Sequence, residues 1–177
     1  MKLDRFDKTL LSFLAVTVIA LVVYAAGSLP AKTTAIETRS MERELAAQAR
    51  VVLLEKLYAP VTGAMQAGQY QEALLKLEEV NVRYPGEAHG FILKGEILHR
   101  MGVPDGAAAG FVRGIKLNGD YIDKNSPFSK RDIVAVLVEK SLPPALAAYK
   151  RSRSNPALKE NLSNLNYLKS RLAGGCE

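Results

Sequence analysis

A self-similarity with a period of 34 residues constrains the fold of this chain more than any other feature of its sequence. When the sequence is shifted by 34 residues, three pairs of small or apolar residues coincide, namely Gly68 with Gly102, Ala73 with Ala107, and Leu77 with Phe111. Each glycine suits the end of a helix where the chain reverses, because glycine adopts the left-handed conformation at little cost. The small alanines let two helices approach, and the larger side chains four residues later lie on the same helical face. The period therefore predicts stacked helical hairpins.

The residue types at these positions resemble those of the tetratricopeptide-repeat (TPR) family. The positions that carry the resemblance are Gly68, Ala73, Leu77 and Pro85 in the first copy, and Phe91, Gly95, Gly102, Ala107 and Phe111 in the second. The second copy departs from the first at Pro104 and Gly119, but Pro suits the first turn of a helix and Gly suits a helix end. The resemblance implies two antiparallel helices per repeat, with repeats at about 54–87 and 88–121.

TPR domains use the first helix of each pair to line a concave groove that binds peptides or partner helices. Carried onto this sequence, that role gives a candidate groove formed by Tyr58, Thr62, Met65, Gln66, His89, Ile92, Glu96, His99 and Arg100. Spacings of three and four place the residues of each copy on one helical face. Aromatic, Met and charged side chains together suit the recognition of a peptide. The alternative is a groove that is covered by the terminal helices of the chain itself.

Further helices are expected around the repeats, because two repeats alone bury too little surface. Residues 38–57 have apolar positions every three or four residues, which predicts a capping helix after a short stalk at 30–37. Pro60 is expected to kink or restart this helix. A turn-rich loop at 122–129 precedes helices over 130–173, one of which opens at Pro143–Pro144 and the last at Asn155–Pro156. Residues 174–177 form a tail.

An uncharged apolar segment at residues 9–29 predicts a single-pass transmembrane anchor. The segment holds 16 hydrophobic residues, and about 20 helical residues cross the hydrocarbon core of a bilayer. A cleaved signal peptide is the alternative, because residues 25–28 are small enough for cleavage. Lys2, Arg5 and Lys8 precede the segment and favour a cytoplasmic tail at 1–8. The predicted location is the bacterial inner membrane, with the carboxy-terminal domain in the periplasm.

The fold class that follows is all-α. It consists of an N-terminal transmembrane helix, a short TPR-like α-solenoid of two repeats, and capping helices. Within the second repeat, glycines recur every four residues at Gly106, Gly110 and Gly114. Each glycine costs a helix about 1 kcal/mol relative to Ala. We therefore expect this glycine face to be packed against another helix.

The net charge of +6 is concentrated at the carboxy-terminal end of the chain. Residues 140–177 hold seven basic and two acidic side chains, whereas residues 33–139 hold 13 basic and 14 acidic ones. The seven basic residues are Lys140, Lys150, Arg151, Arg153, Lys159, Lys169 and Arg171. They form either a solvated face or a surface for anionic lipid or an acidic partner. Nucleic acid is not an expected partner, because no recognition motif occurs.

Catalytic and metal-binding motifs are missing from the sequence. One Cys and two His exclude an intramolecular disulfide framework and a cysteine-built zinc site. His89 and His99 would lie about 15 Å apart along a helix and cannot share a metal within one chain. No Gly-rich phosphate loop, Gly-x-Ser-x-Gly or His-Glu-x-x-His sequence occurs. We therefore expect no enzymatic activity, no metal and no cofactor, and we expect Cys176 to be a free thiol, with an intermolecular disulfide as the alternative.

The function that these features predict is that of a membrane-anchored TPR adaptor or scaffold. It would bind a client peptide or a partner protein during assembly of an envelope complex. The alternative is a permanent structural subunit of a larger membrane protein complex. The two hypotheses differ in surface character, because a permanent subunit exposes large apolar patches when it is isolated.

Overall fold

The computed structural model describes residues 5–28 and 31–174. These ranges contain seven α-helices and one 3₁₀ turn, joined by short turns and loops. The helices are α1 (Arg5–Ser28), α2 (Ala31–Gln66), α3 (Tyr70–Arg83), α4 (Ala88–Arg100), α5 (Pro104–Leu117), α6 (Arg131–Arg151) and α7 (Pro156–Leu172). The 3₁₀ turn, Gly119–Tyr121, follows α5. Neither range contains a strand, and the all-α part of the prediction is confirmed there. Cys176 and the rest of the tail after Gly174 lie outside the described residues.

The predicted transmembrane anchor at 9–29 is contradicted. Among the helices of the described ranges, none combines the length and the apolarity that a membrane crossing requires. A bilayer core of about 30 Å needs about 20 consecutive apolar helical residues. The predicted inner-membrane location, with its cytoplasmic N-terminus and periplasmic domain, depended on that anchor and is contradicted with it.

The chain divides into two compact units, Met1–Ala49 and Arg50–Glu177. In the second unit, the predicted repeat at 54–87 contains the end of α2 and all of α3, and the repeat at 88–121 contains α4, α5 and the 3₁₀ turn. The predicted loop at 122–129 precedes α6, and the range 130–173 contains α6 and α7. In the predicted stalk at 30–37, the described residues belong to α2, which begins at Ala31.

The turns inside the two helical hairpins depend on Gly68 and Gly102. Their φ angles are +73° and +76°, which lie in the left-handed region that side chains disfavour. At the first turn the Gln69 amide donates to the carbonyl of Ala64, and at the second the Val103 amide donates to the carbonyl of Leu98, both at 2.9 Å. These bonds satisfy carbonyls that the helix end leaves without an intrahelical donor. Both glycines therefore lie in turns that end a helix, at the positions where the repeat predicts a turn.

Helices α4 and α5 pack backbone to backbone through glycines. A Cβ atom on Gly110 would lie 2.8 Å from the amide nitrogen of Gly95 and 3.0 Å from the carbonyl oxygen of Phe91. A Cβ atom on Gly114 would lie 2.6 Å from the side chain of Ile92. Such distances leave no space for a methyl group. The packed glycine face that the sequence predicts is therefore confirmed at these two positions.

Three prolines lie inside helices, where Pro60 was expected to kink or restart a helix and Pro143–Pro144 to open one. Helix α2 continues through Pro60, and α6 continues through Pro143 and Pro144, so no separate helix opens there. A proline lacks the amide hydrogen that would bond the carbonyl four residues earlier. For Pro143 and Pro144 those carbonyls belong to Glu139 and Lys140, both exposed residues, where water can take the place of the missing donor. The prediction of a helix start at Pro143–Pro144 is therefore wrong.

The carboxy-terminal helices form an antiparallel pair with α7 packed on α6 and α5. Helix α7 begins as predicted, because the Asn155 side chain accepts hydrogen bonds from the amides of Ala157 and Leu158, at 3.0 and 3.4 Å. At the other end, Arg131 of α6 donates to the carbonyl of Leu172. The core beneath these helices comprises fully buried apolar side chains, among them Leu77, Ile92, Phe111, Val134, Leu137, Leu165 and Leu168.

Candidate functional site

A cavity of about 720 Å³ opens in the unit Arg50–Glu177. Helix α2 forms one wall and helix α4 the other, and residues 127–130 before α6 close one side. Its lining comprises Val51, Leu54, Glu55, Tyr58, Thr62, Met65, Gln66, Gly68, Tyr70, His89, Leu93, Glu96, Arg100, Pro127, Phe128 and Lys130. The helical wall residues follow the spacing of three and four that places side chains on one face.

The structure brings seven of the nine predicted groove residues to this cavity. They are Tyr58, Thr62, Met65, Gln66, His89, Glu96 and Arg100. Ile92 lies outside the lining. It is fully buried, as Tyr58 is, but the face of α4 that it occupies packs against α5 at Gly114. His99 is half-buried and lies outside the lining. The cavity face of α4 runs through His89, Leu93, Glu96 and Arg100.

Several lining residues were not among the predicted site residues. Val51, Leu54 and Glu55 precede Tyr58 by seven, four and three positions, and Leu93 follows His89 by four. Helical periodicity could therefore have identified all four. Pro127, Phe128 and Lys130 belong to a segment that is distant in sequence from both walls, and no local pattern points to them. Their position becomes evident only when α6 packs beside α5.

Four aromatic rings form a continuous cluster at one end of the cavity. The centroids of Tyr58 and His89 are 5.0 Å apart, those of His89 and Tyr121 5.8 Å, and those of Tyr121 and Phe128 5.8 Å. The rings are tilted relative to one another by 38–58°, within the range of favourable aromatic arrangements. The cluster connects α2, α4, the 3₁₀ turn and the segment before α6, and so fixes the shape of this end.

The polar groups in the aromatic cluster are uncharged at neutral pH. Burial, reinforced by Lys130, lowers the pKa of His89 to about 4. Burial, with a smaller contribution from Glu87, raises the pKa of Tyr58 to about 12. Burial also raises the pKa of Tyr121. His89 Nδ1 lies 2.9 Å from the Tyr121 hydroxyl, and this hydrogen bond holds the His89 ring against the cluster.

One buried ion pair lies in the wall of the cavity. The Lys130 ammonium lies 2.7 Å from Glu96 Oε1, and Glu96 is 8% exposed. A carboxylate at this depth is costly unless it is paired. Among the described residues, Lys130 is the only cation within ion-pairing distance of Glu96. A second ion pair, Arg50 with Glu87 at 3.2 Å, is more exposed.

The seven residues of the predicted basic surface do not form one patch. Lys150, Arg151, Arg153 and Lys159 lie around the turn that connects α6 to α7. Lys169 and Arg171 lie at the opposite end of α7, where Arg131 contacts Leu172. Lys140 lies ten residues before Lys150 in α6, about 15 Å away along the helix. Six of the seven are exposed, and Arg171 is half-buried.

More than half of the repeat positions that carry the TPR resemblance are buried. Ala73, Leu77, Ala107 and Phe111 are buried, and Phe111 packs against Gly95. Phe91 is half-buried beneath the guanidinium of Arg113, which lies 4.2 Å from the ring centroid. Pro85 is exposed after α3 ends. None of these positions lines the cavity except Gly68.

The lining of the cavity combines apolar, polar and charged side chains. Apolar side chains, uncharged hydrogen-bonding groups, the Glu96–Lys130 ion pair and the charged side chains of Glu55 and Arg100 face the same volume. Within residues 5–28 and 31–174, no group of three His, Cys, Asp or Glu side chains is placed to hold a metal ion. No protein-family model matches the chain, and neither a curated protein nor a solved structure matches it.

Proposed function

We propose that this chain is an adaptor of the TPR type that binds a short segment of a partner protein in the cavity between α2 and α4. The observation that carries the proposal is the convergence of seven predicted groove residues on one cavity of about 720 Å³. Ligand sites in proteins commonly enclose about 300–1,000 Å³. Because α2 and α4 are continuous helices, the side chains that would contact the segment are held on rigid elements.

The side chains of the lining match the mixed character of a peptide. Leu54, Leu93 and Met65 offer apolar contacts, and methionine adapts to irregular partners. Thr62 and Gln66 offer hydrogen bonds near them. The Thr62 hydroxyl bonds the carbonyls of its own helix, at 3.2 and 3.3 Å, and the hydroxyl oxygen can still accept a bond from a ligand. A peptide presents both apolar side chains and backbone amides, and therefore complements this lining.

A peptide-display selection on the full chain tests the proposal. Selected peptides would be measured for affinity against the chain and against the variant Gln66→Trp, whose bulky side chain narrows the cavity. We expect affinity to fall at least about tenfold, the equivalent of one well-placed contact.

The matched control is Gln71→Trp, because Gln71 is an exposed glutamine of α3 outside the cavity. This variant should bind the selected peptides as the parent chain does. Equal affinities for both variants would place the peptide elsewhere and contradict the proposal.

The second candidate function is a permanent structural subunit of a larger assembly. The observation in its favour is on α3, where Leu75 and Val82 are 70% and 74% exposed. Their spacing of seven places both on one helical face. A subunit removed from its assembly would associate through such a face. Sedimentation of the full chain against the variant Leu75→Lys/Val82→Lys distinguishes the two functions, since only the permanent subunit loses self-association.

A further inference from the structure

We infer that the cavity selects peptide segments in which a Lys or Arg stands beside apolar residues, and that this cation replaces Lys130 at the carboxylate of Glu96. The inference rests on the proposed function, and it adds the chemical class of the bound segment. The observation that supports the inference is that Glu96 and Lys130, which form an ion pair, both line the cavity. An incoming charged group therefore meets this pair.

The two members of the pair differ in how they are held. Glu96 belongs to the middle of α4 and is 8% exposed, so its carboxylate stays in the wall. Lys130 precedes the first residue of α6, and its side chain is 33% exposed. The backbone amide of Lys130 is fixed by a 2.8 Å hydrogen bond to the carbonyl of Tyr121. The flexible four-carbon stem can nevertheless rotate into water, where an ammonium group is strongly hydrated.

The charge left behind determines which ligand is accepted. With Lys130 turned away, the charged groups of the lining are Glu55, Glu96 and Arg100, and their sum is −1. Glu55 makes no ion pair within the described part of the chain. A cation on the ligand restores the neutrality that the buried Glu96 requires. An anion would face both carboxylates, and we expect it to bind more weakly than a cation.

The neighbours of the pair supply the apolar part of the selection. Leu93 is on α4 three residues before Glu96, and the Phe128 ring is two residues before Lys130. Leu54 lines the facing wall on α2. A Leu or Phe adjacent to the ligand cation would bury its side chain against these three residues. This burial contributes most of the affinity, because replacing Lys130 with the ligand cation at Glu96 exchanges one ion pair for another.

Fluorescence anisotropy with three labelled peptides on the full chain tests the inference. The probes are acetyl-Leu-Phe-Lys-Leu-Ser-amide and its versions with Gln or Glu in place of Lys. We expect the Lys peptide to bind the parent chain most tightly. The variant Lys130→Gln should bind the Lys peptide about tenfold tighter than the parent, because its Glu96 has no competing cation.

Lys124→Gln is the matched control, since Lys124 is an exposed lysine of the same loop and its removal changes the net charge equally. It should change the affinity less than about twofold. Lys130→Arg is a second variant that retains the pair and the fold. A guanidinium binds a carboxylate more firmly than an ammonium does. The Lys peptide should therefore bind the Lys130→Arg variant about threefold more weakly than it binds the parent chain. Circular dichroism of each variant checks that it is folded.

Three results would overturn the inference. One is equal binding of the Lys, Gln and Glu peptides. Another is a gain in Lys124→Gln that equals the gain in Lys130→Gln, and the third is failure of all three peptides to bind Lys130→Gln. Each of these leaves the proposed function to its own test, because peptides selected by display could still bind and lose affinity in Gln66→Trp. Failure of that selection would remove the proposed function itself.

Discussion

Gly110 of α5 lies against the backbone of Gly95 of α4 so closely that a Cβ atom on Gly110 would be 2.8 Å from the Gly95 amide nitrogen. This contact sets the distance between the two helices of the second hairpin, and α4 is also a wall of the cavity. The placement of one cavity wall against α5 therefore depends on a pair of residues that have no side chains.

Gly110→Ala is expected to destabilise the fold. The methyl group would overlap backbone atoms that cannot move independently, and overpacking of this kind costs about 1–3 kcal/mol. The gain of about 1 kcal/mol in helix propensity offsets only part of that cost. Urea unfolding followed by circular dichroism measures the change. Gly63→Ala is the control, because Gly63 is exposed in α2 with no atom within 4 Å of an added Cβ, so this substitution should stabilise the chain. Equal stability of Gly110→Ala and the parent would contradict the close packing.

Asn155→Ala is expected to weaken the start of α7. Its side chain accepts hydrogen bonds from the Ala157 and Leu158 amides, and loss of such a cap costs about 0.5–2 kcal/mol. Asn166→Ala, at an exposed position inside the same helix, should leave stability unchanged or slightly raised. Thermal unfolding of both variants tests the difference. A similar melting temperature for the two would show that the cap contributes nothing.

The low pKa of His89 predicts a pH dependence of stability. The pKa of His89 is about 4 in the folded chain, against the ordinary value of 6.5 that applies when the chain is unfolded. The unfolded chain therefore binds the proton first as pH falls. The contribution of neutral His89 to the free energy of unfolding is fully present above about pH 6.5. It is lost as the pH falls from 6.5 to 4, and its total is about 3 kcal/mol. Unfolding of the parent and of His89→Gln at pH 7 and pH 5 isolates this residue. If the two chains lose the same stability over that interval, His89 is not the group responsible.

The Glu96–Lys130 pair is expected to show strong coupling in a double-mutant cycle. Lys130→Met leaves the buried carboxylate of Glu96 without its cation and should cost about 2 kcal/mol or more. Glu96→Gln combined with Lys130→Met removes both charges and should recover much of that loss. Urea unfolding of the four chains gives the coupling energy. Additive effects of the two substitutions would mean that the pair contributes little in the folded chain.

Sequence periodicity predicted the helical core of the second unit because the rules that produce it are local. The turns at Gly68 and Gly102 follow from one residue type that tolerates positive φ, and the start of α7 follows from an Asn before a Pro. The continuity of α6 through Pro143 and Pro144 was not predictable in this way. It depends on whether the affected carbonyls are exposed to water, and exposure is a property of the folded chain.

The candidate site was predictable where it is helical and unpredictable where it is not. Residues such as Tyr58 and His89 occupy helical faces that the TPR resemblance assigns to a groove. Ile92 is an exception, because the face of α4 that lines the cavity is narrower than the set of positions that the resemblance assigned to the groove. The flank of α4 that carries Ile92 packs on α5 instead. Lys130 reaches the cavity only through the packing of α6, a contact distant in sequence. Residues on two walls of the cavity, α2 and α4, were therefore predictable from the sequence. The ion pair that joins α4 to the third side, residues 127–130, was not.

We propose that a partner segment occupies the cavity between α2 and α4, and methyl-resolved NMR tests this proposal most directly. The full chain, labelled at Leu, Val and Met methyl groups, would be titrated with a peptide from the display selection. We predict the largest shifts at Leu54, Met65 and Leu93, which line the cavity, and negligible shifts at Leu75 and Val82 on α3. Largest shifts at Leu75 and Val82 would contradict the claim and favour the exposed face of α3 as the contact surface.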